Sequence, residues 1–156
     1  MTLLRSGNLP SEVRDGLPTE PLAERGGLTQ FGAHRVTLPP GARSSERHWH
    51  EREDELVLVL AGEVVLVDEA GAHVLRPGDA AAFPAGVPNG HHLVNRSAAD
   101  CVLLVIGTRV REDVCHYPDT GRRLVTAGTR WQLLEADGRV RKEGTLPEPF
   151  PCTCGA

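Results

Sequence analysis

From Leu28 onward the chain is written in short apolar segments rich in Val, Leu and Thr, separated by Gly, Pro and Asp. Short runs of this kind at regular spacing predict an all-β sandwich or barrel. The strand candidates are residues 29–38, 55–60, 63–68, 72–76, 79–84, 91–95 and 101–107. The run from Leu56 to Leu60 is continuous rather than alternating, which predicts a strand covered on both faces and is too short for a helix of consequence. Ala61-Gly62 and Glu69-Ala70-Gly71 predict tight hairpins. Arg76-Pro77-Gly78-Asp79 sets a fixed φ beside a permissive one, a turn that delivers the next strand at a defined angle. Phe83-Pro84-Ala85-Gly86 and Pro88-Asn89-Gly90 do the same ahead of His91 and His92. Further on, Thr129–Glu135 and Arg139–Glu143 flank Ala136-Asp137-Gly138, a C-terminal β-hairpin that lies against the barrel or crosses to a partner.

The two ends read differently. Residues 1–27 carry Pro10, Pro18, Pro21 and four glycines with few consecutive apolar positions, an N-terminal arm with one helical turn near Pro21–Arg25. Residues 146–156 hold Pro147, Pro149 and Pro151 ahead of Cys152 and Cys154, a flexible tail. Residues 28–145 form the barrel with its hairpin, so 156 residues make one domain with decorations.

Composition narrows the function. Charged residues are 24% of the chain and interleave around a formal net charge of -4, a pattern without the basic patch that nucleic acid needs. Met1–Arg5 lacks the apolar h-region of a secretory signal, and no segment reaches the roughly 20 apolar residues of a membrane span. The expectation is a cytoplasmic protein with no membrane or nucleic-acid partner. Cys101 lies in the apolar run Cys101–Ile106 and reads as a buried free thiol. Cys152 and Cys154 have neither Cys-x-x-Cys spacing nor a second ligand pair, so oxidisable thiols are the simpler reading.

The chemistry gathers at His48-Trp49-His50. Residues two apart on a strand share a face, so the two imidazoles project together while Trp49 turns to the other side and packs there. Glu55 follows the charged stretch Glu51–Asp54, which turns the chain so that the next strand offers a carboxylate beside them. His91 or His92, opening a later strand, supplies a last nitrogen. His34 and His73 have no partner in sequence and read as surface or satisfied histidines. The imidazoles of His48 and His50 and the Glu55 carboxylate can converge on one metal ion, and Cys115-His116-Tyr117-Pro118-Asp119 reads as a loop that closes over its mouth, where His116 or Tyr117 is a catalytic candidate for proton transfer. The commoner alternative is a turn that caps the barrel or holds a dimer. Arg109, Arg111, Arg122 and Arg123 read as solvated cations.

Gly41, His48, His50, Glu55 and Gly62, followed by Gly78, Pro84, Gly86, a histidine and Asn95, resemble the two sequence motifs of the cupin superfamily, in particular small single-domain bacterial cupins. The gap from Gly41 to His48 is one residue longer than the usual form, and the spacer Val87-Pro88-Asn89-Gly90 makes the second motif two residues longer. The histidine four residues before Asn95 is His91, which the resemblance selects over His92. The resemblance implies a double-stranded β-helix, a jelly-roll barrel, with His48, His50, Glu55 and His91 around one divalent transition-metal ion. Imidazole and carboxylate suit Fe, Mn, Ni, Co, Cu or Zn, and availability often decides among them. Two functional classes follow: a metal-dependent oxygenase, isomerase or lyase acting on a small organic molecule, or a non-catalytic module that binds or senses a small ligand or sugar. The long apolar strands and the arm further predict a covered sheet edge, with the same segment of a second copy as its cover, and hence a homodimer.

Overall fold

The computed structural model of the protein describes residues 1–5 and 9–146. Cys152, Cys154 and the expected tail from Pro147 onward lie outside the described residues. The chain is almost entirely antiparallel strand, as the short apolar segments predict. A six-stranded sheet runs in the order β1 (Glu12–Arg14), β2 (Leu17–Pro21), β3 (Phe31–Leu38), β10 (Cys101–Thr108), β5 (Glu55–Ala61), β8 (Ala80–Phe83). A three-stranded sheet is formed by β7 (Gly71–Leu75), β6 (Val64–Asp68) and β9 (His92–Val94). The third sheet joins β14 (Val140–Thr145), β13 (Arg130–Leu134), β12 (Arg122–Ala127), β11 (Glu112–Tyr117) and the two-residue β4 (Trp49–His50).

The core lies between the first two sheets. Alternate residues of β3, β5 and β10, namely Val36, Leu38, Val57, Val59, Cys101, Leu103 and Val105, meet Val64 and Leu93 of the three-stranded sheet and Leu17 of the arm. Each such Val or Leu contributes roughly 1.5–3 kcal/mol by leaving water. Asn95 is fully buried and closes the end of this core: its Nδ2 donates to the carbonyls of Leu38 (2.7 Å) and Ala99 (2.8 Å), and its Oδ1 accepts from the Ser97 amide.

Five expectations change. Ala61-Gly62 is a corner and not a hairpin, because β5 and β6 belong to different sheets. Gly62 sits at φ 78°, and a Cβ there would stand 2.4 Å from the Asp100 carbonyl oxygen, so backbone close approach explains the glycine. The Leu56–Leu60 strand is covered on one face only: Val57 and Val59 are buried, while Leu56 and Leu60 remain 38% and 43% exposed. The arm pairs with its own chain, β2 against β3 with Thr19 opposite Val36, and so covers its own sheet edge. The helix turn α1 (Leu22–Gly26) then brings Glu24 onto Arg109, whose side chain is 3% exposed and not solvated as expected. Finally, Cys115-His116-Tyr117 is strand and not loop. β11 and β12 form a hairpin closed at Tyr117 opposite Arg122, with Arg122 bound to Glu46 and Arg47 to Asp119 on its outer side.

The β6–β7 turn at Glu69-Ala70 and the β13–β14 hairpin at Asp137-Gly138 form as predicted, the first with Asp68 Oδ1 accepting from the Ala70 and Gly71 amides. Among the described residues no helix is long and apolar enough to cross a membrane.

Candidate metal centre

Strand pairing assembles the site from distant segments. His48 and His91 form an isolated antiparallel bridge, each amide donating to the other's carbonyl at 3.1 and 3.0 Å. His50 on β4 lies opposite Cys115 on β11. Glu55 is the first residue of β5, delivered by the turn Glu51–Asp54. Three anchors hold that turn: Gly86 N donates to His50 O, Ala85 N to Asp54 Oδ1, and Arg52 N to Asp113 Oδ1. All four side chains are buried, between 3% and 7% exposed.

Their polar atoms converge. Glu55 Oε2 lies 3.0 Å from His91 Nε2 and 3.6 Å from His48 Nε2. Donor atoms of His48, His50 and Glu55 fall within 4.8 Å of one another, and His91 joins through Glu55. Ligands sharing one ion at bond lengths near 2.0–2.2 Å stand roughly 3–4 Å apart, so the arrangement could hold one.

The hydrogen bonds at Nδ1 give the stronger sign. His48 Nδ1 is 3.0 Å from the Glu46 carbonyl, His91 Nδ1 is 3.0 Å from the Asn89 carbonyl, and His50 Nδ1 is 2.5 Å from Asp113 Oδ2. A carbonyl only accepts, so Nδ1 of His48 and His91 carries the proton and donates. The Nε2 atoms therefore turn bare lone pairs inward. Nε2 of His48 and of His50 is buried without a hydrogen-bond partner. Buried polar atoms left unpaired are costly, and a cation is the partner that accounts for several converging lone pairs at once. The charge fits too. Burial works against ionisation of Glu55, yet protons placed on the facing His48 and His91 nitrogens hold its carboxyl well below the usual carboxylate range, and a cation among those nitrogens would take the place of such protons. Burial likewise opposes a charge on His50, but the bond to Asp113, helped by Cys115 and Glu55, leaves it pushed up to about 11, so that without an ion its Nε2 keeps a proton whose place a cation would take.

Beside the ligands is a narrow cavity of about 40 Å³, lined also by Trp49, Glu53, Phe83, Pro84, Val87 and Asn89. A volume of this size holds a few water molecules. Phe83 stacks on the His91 ring at 3.5 Å, which fixes its plane. Val87 and Asn89 come from the lengthened spacer, so the extra residues lie at the mouth. Asn89 ties the spacer down: its Oδ1 accepts from the Glu69 amide at 3.1 Å and its Nδ2 donates to Asp68.

The other candidates separate by face. His116 lies opposite Trp49, stacks on it at 4.1 Å, and pairs with Glu51, all on the side away from His50. Tyr117 shares the face of Cys115, with its ring 6.3 Å from that of His48. It opens into a different cleft with Ser44, Ser45, Glu46 and Arg122, and burial raises its pKa. His92, half-buried and lowered by burial, follows His91 in an extended strand and takes the opposite face. His73 pairs with Asp68, and His34 is buried in β3, with its pKa lowered by burial. Two carboxylates at the site were not foreseen, Glu53 and Asp113, both buried. Asp113 is 63 residues from His50 on a strand with weak apolar alternation, and no spacing rule connects them. Glu53 was hidden among the charges of Glu51–Asp54.

A sequence signature of the cupin domain matches residues 34–107, which contain all four candidate ligands. The structure is similar to that of a sugar phosphate isomerase of the cupin superfamily from Silicibacter pomeroyi. That similarity has a TM-score of 0.81 and 37% identity over 96% of this chain and 99% of that one. The chain belongs to the cupin superfamily. A putative sugar phosphate isomerase from Acidithiobacillus ferrooxidans is also similar at TM-score 0.80 and 31% identity, over 90% of this chain and 96% of the other. A predicted oxalate decarboxylase from Thermotoga maritima shares this cupin's fold at TM-score 0.60 and 22% identity, over 70% and 100% of the two chains. No curated protein matches the sequence.

Metal content of protein purified without a nickel column tests the ligand set. His48→Ala and His91→Ala should each lose most of the bound metal, whereas His92→Ala should keep it. Stoichiometric metal in the first two variants, or its loss in the third, would contradict the geometry.

Proposed function

We propose that His48, His50, Glu55 and His91 hold one divalent transition-metal ion, Fe, Mn, Ni, Co, Cu or Zn, and that this cupin is a metal-dependent isomerase of a phosphorylated sugar. The observation that carries the choice of isomerase over oxygenase or lyase is the 37% identity, across nearly the full length of both chains, with a protein named as a sugar phosphate isomerase. The inward lone pairs of three histidines support the metal.

Exchange between an aldose and a ketose moves a proton between neighbouring carbons and needs polarised oxygens and a base. An ion in the site supplies Lewis-acid polarisation of substrate oxygens when bound. The four ligands fix its place, and the buried surroundings limit competing water. Glu53 lines the same cavity outside the ligand set, and we assign it the proton transfer. The cavity of about 40 Å³ is too small for a whole sugar phosphate, so in this reading only the reacting end of the sugar enters it. The same narrowness supports a second reading, a non-catalytic module that binds or senses a small ligand or sugar through the ion.

Incubation of metal-loaded protein with a panel of aldose and ketose phosphates separates the two. Interconversion that stops on chelation and falls at least about 100-fold in Glu53→Gln, with metal retained, is expected, since removal of a positioned base typically costs 10²–10⁴ in rate. Metal-dependent binding of a sugar phosphate with no product would favour the sensing module.

The homodimer is supported by the outer face of the six-stranded sheet rather than by the arm. Leu56, Leu60, Ala80 and Ala82 are exposed there beside half-buried Leu58, Leu104 and Ile106, an unusual density of apolar groups to leave in water. A second copy laid face to face would cover them. Light scattering should give twice the 16.8 kDa chain mass, and a Leu56→Glu variant should give the chain mass; a wild-type monomer would remove the dimer.

A further inference from the structure

We infer that Asp113, outside the matched cupin segment, is a positioning residue that sets which nitrogen of His50 faces the ion. The inference rests on the metal-centre reading and extends it to β11. Both Asp113 and His50 are buried, and Asp113 Oδ2 lies 2.5 Å from His50 Nδ1. That separation is shorter than two ligands of one ion allow and fits a shared proton. Asp113 Oδ1 accepts from the Arg52 amide at 2.8 Å, so both oxygens are used as acceptors. The aspartate is itself held: its amide donates to Thr126 Oγ1 at 3.0 Å, and the same hydroxyl donates to its carbonyl at 3.3 Å.

Two consequences follow. His50, Glu53 and Asp113 form a second close group of donors, but the 2.5 Å contact of His50 Nδ1 with Asp113 Oδ2 is that of a shared proton, so in this proposal the group serves as a brace rather than as a second ion site. His50 also differs from its two neighbours. His48 and His91 rest on neutral backbone carbonyls, whereas His50 rests on a carboxylate, which raises the basicity of the Nε2 it turns to the ion. Asparagine cannot replace Asp113 without loss, because it has one acceptor where two donors, His50 Nδ1 and the Arg52 amide, need one each.

The test is zinc affinity by competition with a chromophoric chelator, alongside the visible spectrum of the cobalt-loaded protein, for wild type, Asp113→Asn and His48→Ala. Asp113→Asn should weaken zinc binding 10- to 100-fold and shift the cobalt bands. Nitrogen-15 NMR of zinc-loaded wild type gives a readout that needs no variant to fold: His50 should carry its proton on Nδ1. Wild-type zinc affinity and cobalt spectrum in a folded Asp113→Asn, or a proton on Nε2 of His50, would overturn the role of Asp113. Undiminished zinc affinity in His48→Ala would instead overturn the metal centre itself.

Discussion

The hydrogen bonds that fix the Nδ1 atoms of three buried histidines organise everything else at this site. Each ring spends one nitrogen on the protein, at Glu46 O, Asn89 O or Asp113, and is thereby obliged to turn the other toward Glu55. Lone pairs so directed, in surroundings that exclude water, carry a desolvation penalty that protein groups alone do not offset. On the proposed reading, affinity for a cation is the counterpart of that penalty. The site would then be preorganised because its cost is already present in the fold, with the metal's identity left to ligand softness and supply.

Antiparallel pairing is what makes the anchoring possible. The bridge between His48 and His91 fixes two of the proposed ligands by main-chain contacts. β5 starts at Glu55 because the turn before it is tied down at three points, to Gly86, Ala85 and Asp113. The third sheet then does more than decorate the barrel, since β11 presents Cys115 and Asp113 to His50 on one face and His116 to Trp49 on the other. Alternation of faces thus divides the stretch Asp113–Tyr117 into residues that touch the site and residues that do not.

Much of this was legible in the sequence because it depends on short-range rules. His-x-His on a strand and a carboxylate after a turn are local patterns, the choice of the histidine four residues before Asn95 came from the resemblance to cupins, and the strands from Phe31 to Thr108 announce themselves by apolar runs and Gly or Pro turns. What escaped is long-range or disguised. β11 and β12 carry Glu, Asp, His and Arg at positions that pair with other charges, such as Arg122 with Glu46, so their strand character has no hydrophobic signature. The corner at Gly62 resembles a hairpin locally, and only the Asp100 carbonyl, just before β10, reveals why glycine is there. The continuous run Leu56–Leu60 predicts cover on both faces, yet its outer face lacks a cover within one chain.

Substrate chemistry is separated from metal chemistry by the same physical division. The proposed ligands are set by the strand pairing around His48, His50, Glu55 and His91, whereas the cavity beside them is lined by Val87 and Asn89 of the lengthened spacer and by Glu53. The central claim is the identity of the four ligands. A crystal structure of the metal-loaded protein, with data collected on both sides of the metal's absorption edge, tests it most directly. One anomalous peak is predicted within bonding distance of Nε2 of His48, His50 and His91 and of the Glu55 carboxylate. A peak held instead by His92 or by Nδ1 of His50 with Glu53 and Asp113 would contradict it.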